Sequence, residues 1–63
     1  MDETALQMVQ RHVRQGEALI LRQRKIVARI IDAGGDTRDA ENFLVMLEDA
    51  QNLHIAHLER ITD

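Results

Sequence analysis

Apolar residues recur along this chain at helical spacing in two long stretches, separated by one polar break at Gly34-Gly35-Asp36-Thr37. With Leu6 taken as heptad position a, that position holds Leu6, Val13, Ile20 and Val27. Position d holds Val9, Gly16, Gln23 and Ile30, and position g holds Ala5, His12, Leu19, Ile26 and Ala33. Such a stripe is wider than a two-stranded coiled-coil seam and predicts a bundle helix over residues 3–33. A second helix is predicted over 38–62. Its stripe reads Ala40, Phe43, Leu44, Leu47, Ala50, Gln51, His54, His57, Leu58 and Ile61, with Met46 and Leu53 on a flank. Its outer face carries Glu41, Glu48, Asp49, Asn52, Glu59 and Asp63. In the turn, 34–37, glycine at 34 or 35 takes the left-handed position that closes a helix. Asp36 or Thr37 then caps the next one, with Asp39 and Glu41 in its first turn. The pattern describes an all-α, antiparallel two-helix hairpin, a single domain over residues 1–63.

Folding about residue 35 sets Val27 opposite Phe43, Ile30 opposite Ala40, Ile20 opposite Ala50 and Gly16 opposite His54. Large side chains then oppose small ones, as close packing requires. One seam does not cover stripes this wide, and the uncovered flank includes Leu19, Ile26, Met46 and Leu53. A second copy covers it, so the expected assembly is a homodimer forming a four-helix bundle. The expected core and dimer face comprises Leu6, Val9, Val13, Leu19, Ile20, Gln23, Ile26, Val27, Ile30, Phe43, Met46, Leu47, Leu53, His54 and Ile61. Gln23 either pairs inside the seam, where a buried amide fixes register, or sits solvated at its edge. Leu21, Ala28, Ile31, Val45 and Ile55 fall outside the stripes, as scattered surface apolar residues commonly do.

Composition narrows the chemistry. The 63 residues include no Cys, so no disulfide and no thiolate metal site, and a small domain without staples leans on oligomerisation. Ser is absent as well, which removes the usual nucleophile sets, and the chain is read as non-enzymatic and without a cofactor. The start is acidic, with no apolar leader segment behind it. The longest apolar run, Phe43 to Leu47, is far short of the ~20 residues a membrane helix needs. A cytoplasmic, membrane-free protein is expected.

Charge is divided between the helices. Residues 3–33 hold six basic and three acidic side chains, and 38–63 hold two and six, so side-by-side packing is favoured. Arg11, Arg14, Arg22, Lys25 and Arg29 form an outer basic stripe that could neutralise nucleic-acid phosphates. The net charge of −3 and a single aromatic, Phe43, argue against that partner and for a solvated face. The three histidines, His12, His54 and His57, all fall on the inward stripes. His54 and His57 are one turn apart, a spacing compatible with Zn²⁺. Gln51 stands where a Glu-x-x-His ligand set would need its glutamate.

Gly16-Glu17, Arg22-Gln23, Gly34 to Thr37, Ala40, Leu44 and His54 through Leu58 form a pattern that resembles short, uncharacterised bacterial helical-hairpin proteins and protein tails. The resemblance spans most of the chain and implies a cytoplasmic helical hairpin with no assigned activity. The architecture also looks like the Rop-type hairpin dimer, with Thr4-Ala5-Leu6 and Met8 as the matching residues. That family's RNA face uses a phenylalanine on its first helix, whereas Phe43 lies on the second. The expected role is a small structural or regulatory interaction module, a homodimer that docks another protein. RNA binding and a histidine metal site are the alternatives.

Overall fold

Thr4 sets where the first helix starts. Its Oγ1 accepts from the Gln7 N–H at 3.1 Å, and Gln7 Oε1 accepts from the Thr4 N–H at 3.0 Å. This reciprocal cap satisfies two backbone donors, so α1 runs Ala5–Asp32 and not from residue 3. The computed structural model describes residues 2–62; Asp63, expected on an outer face, lies outside them.

Two hydrogen bonds end α1. The Gly34 N–H donates to the Ile31 carbonyl and the Gly35 N–H to the Ile30 carbonyl, each at 2.9 Å. This is the Schellman pattern, and it requires a left-handed residue. That residue is Gly34, at φ +74°. Asp36 Oδ1 then accepts from the Arg38 N–H at 2.9 Å, while the Thr37 carbonyl accepts from the Glu41 N–H at 2.8 Å. The side-chain cap is therefore Asp36, and α2 runs Arg38–Thr62. The two helices pack antiparallel, and no strand occurs among the described residues.

The seam buries Val9, Ile20, Val27, Gln23 and Gln51. Leu6, Val13, Ile26, Ile30, Leu47 and His54 are half-buried beside it. Its register lies about one helical turn from the one expected. Gly16 faces Gln51, not His54, and His12 meets His54 instead of lying level with His57. The turn causes the offset. Gly35 folds onto Ile30, where an added Cβ would stand 3.0 Å from Ile30 Cγ2, and Ala40, in the first turn of α2, already lies within hydrogen-bond reach of Gln23. The second helix therefore starts below the end of the first. His57, expected inward, is exposed.

Candidate functional site

A groove runs along one side of the hairpin as two hollows placed end to end. The first is walled by His12, Gln15, Gly16 and Leu19 from α1, and by Leu47, Ala50, Gln51 and His54 from α2. The second is walled by Leu19, Arg22, Gln23, Ile26, Phe43 and Leu47. Leu19 and Leu47 belong to both. Of the residues expected in the core or dimer face, Leu19 is 48% exposed, Phe43 47%, Met46 66% and Leu53 71%, with Ile61 exposed too. The stripes are thus only partly spent on the intrachain seam. Leu21, Ile31, Val45 and Ile55 are exposed as well, and none of them walls the groove.

The floor of the groove is held by two amides. Gln23 Nε2 donates to the Ala40 carbonyl of α2, and Gln51 Nε2 donates to the Val13 carbonyl of α1, both at 2.9 Å. Each helix thus staples itself to the other's backbone, one bond towards the turn and one towards the open end. A slip of one residue would break both, so the pair fixes register. Of the two places the heptad pattern leaves open for Gln23, it takes the buried one, paired in the seam. Gln51 has the same role and was legible through the same oddity, an amide in an apolar stripe. Gly16 makes room for it: a Cβ there would collide with Gln51 Oε1 and stand 2.8 Å from its Cδ. Gln51 Oε1 and His54 Nδ1 are buried without a hydrogen-bond partner among the described residues.

The histidines divide. His12 and His54 lie across the seam with ring centroids 5.2 Å apart and planes tilted by 40°. His57 does not join them at the groove wall. No three His, Asp or Glu side chains among the described residues converge on one point.

The opposite side of the hairpin carries Arg24 Nη2 and Glu48 Oε2, 3.4 Å apart, with both side chains exposed. The division of charge between the helices therefore yields one bridge across the seam among the described residues, and exposed pairs of this kind contribute little. Arg11 is held by Glu3: Nε and Nη2 each donate to a carboxylate oxygen at 2.9 Å. These bonds draw the Glu3 carboxyl below its ordinary range and raise Arg11. Arg14, Arg22, Lys25 and Arg29 are exposed and make no ion pair among the described residues. No described helix is long and apolar enough to cross a membrane.

No protein-family model matches the sequence, no curated protein is significantly similar to it, and no solved structure matches the hairpin significantly.

Proposed function

We propose that the chain is a structural or regulatory interaction module that acts as a homodimeric four-helix bundle and carries out no catalysis. The observation that carries this is surface. The hairpin exposes 5038 Å², whereas a compact monomer of its 7.2 kDa exposes about 4,100 Å². The excess, about 900 Å², is close to the ~800 Å² that one partner buries in a standard interface. Shape agrees with area. The radius of gyration is 14.7 Å, against about 11 Å for a globular chain of this length. Part of the surplus lies where Leu19, Phe43, Met46 and Leu53 stand in the open. A second copy laid on the groove would remove these side chains from water and complete a core of which only Val9, Ile20 and Val27 are fully apolar and buried now.

The test is thermal unfolding across a hundredfold range of protein concentration. A homodimer melts at a temperature that rises with concentration, because association and folding are linked. A melting temperature independent of concentration contradicts the proposal.

One observation supports a second reading, nucleic-acid binding through α1: Arg14, Arg22, Lys25 and Arg29 stay exposed and unbridged among the described residues. It requires a mobility shift with RNA or DNA at low salt that weakens steeply as salt is added. No shift at low salt removes it.

A further inference from the structure

The groove is self-complementary in one orientation, and we infer that two copies meet end over end, with Phe43 of each seated in the first hollow of the other. This rests on the homodimer reading above. Leu19 and Leu47 wall both hollows, and Leu19 stands near the middle of α1, Ala5–Asp32. A two-fold axis through that pair, perpendicular to the helices, lays α1 along the full length of its counterpart. It also brings the second hollow of each copy over the first hollow of the other. The first hollow has the small residues Gly16 and Ala50 in its walls. The second is edged by Phe43, the chain's only aromatic, nearly half exposed. Turned end over end, a knob stands over a hole, and symmetry makes the contact twice.

The competing orientation puts both turns at the same end. It sets basic α1 beside the acidic α2 of the partner, a favourable pattern of charge. It also stacks hollow on hollow and leaves Phe43 at the level of its own counterpart. Interfaces pack as densely as protein interiors, and a void at the centre forfeits contacts on every wall. Ion pairs between exposed long side chains at a rim contribute little by comparison. Shape therefore outranks charge.

The chain has no cysteine, so Ala33→Cys carries a single nitroxide label at the turn end of α1. In an end-over-end dimer the two labels lie about 40 Å apart, from a rise of 1.5 Å per residue on either side of Leu19. A same-end dimer holds them within about 25 Å, because neighbouring helix axes are ~8–10 Å apart. A long distance supports the inference. A short distance in a sample of dimeric mass overturns it and leaves the homodimer standing. Monomeric mass with no dipolar coupling removes both. Two substitutions at exposed positions read the contact itself. Phe43→Ala weakens the dimer about tenfold or more, as loss of a buried aromatic anchor does. Ala50→Leu fills the hole in advance and weakens it too. An undiminished Phe43→Ala dimer, or a tighter Ala50→Leu dimer, overturns the placement of Phe43.

Discussion

Gly16 decides how closely the two helices can approach. In a helix interior glycine costs about 1 kcal/mol relative to alanine, so a change to alanine would ordinarily stabilise. Here the missing Cβ is the space that Gln51 occupies while it donates to the Val13 carbonyl. Gly16→Ala should therefore lower stability by about 1–3 kcal/mol in urea titration, as overpacked sites do. In a Gln51→Ala background the same change should stabilise, by up to about 1 kcal/mol. Equal effects in both backgrounds would show that the two residues do not act on each other. A second residue-scale expectation concerns Glu3. Its carboxyl is lowered in the folded chain by the two bonds from Arg11. That contribution is present above the ordinary carboxyl range and is lost as pH falls through the lowered value. As pH falls through and below the ordinary carboxyl range, the amides of residues 7–11 should lose protection before those around the seam glutamines, which do not titrate. Simultaneous loss across both regions would contradict this. Much of this scale was hidden in the sequence. The stripes include both Gly16 and Gln51, but the register read from spacing sets Gly16 opposite His54 and does not say that Gly16 and Gln51 meet. The Thr4-x-x-Gln7 cap is readable by its spacing, and it corrects the helix start.

Both helices and the turn follow from apolar spacing and a Gly-Gly-Asp-Thr break, because a long amphipathic period has few other solutions. Register does not follow. It depends on how far the turn carries the chain back along α1, which is set by the Schellman bonds to Ile30 and Ile31 and not by any spacing. The two glycines are accordingly unequal. Gly34 sits in open space at positive φ, so Gly34→Ala should cost about 1–2 kcal/mol from backbone conformation alone. Gly35 is not at positive φ; a Cβ there would press on Ile30 Cγ2 at 3.0 Å and touch the Ile30 carbonyl at 3.5 Å, which a shift of a few tenths of an ångström relieves, so Gly35→Ala should cost less by thermal melt. The reverse ranking would mean that Gly35 carries the turn. Asp36→Ala removes the α2 cap and should cost about 1 kcal/mol, whereas Thr37→Ala keeps the carbonyl that begins the helix and should cost little.

At the scale of the whole molecule, two rods touch along one seam and leave one side open. The excess apolar stripe was legible from heptad width. So were Leu19, Met46 and Leu53 as residues one seam leaves uncovered; Ile26, expected with them, is half-buried, and Phe43, expected against Val27, stands nearly half exposed because the register is shifted. Sedimentation equilibrium of the unmodified chain weighs the assembly itself. A homodimer gives a mass near twice 7.2 kDa at micromolar concentration, dissociating on dilution with loss of helicity. A fully helical species of 7.2 kDa that persists to millimolar concentration would contradict it.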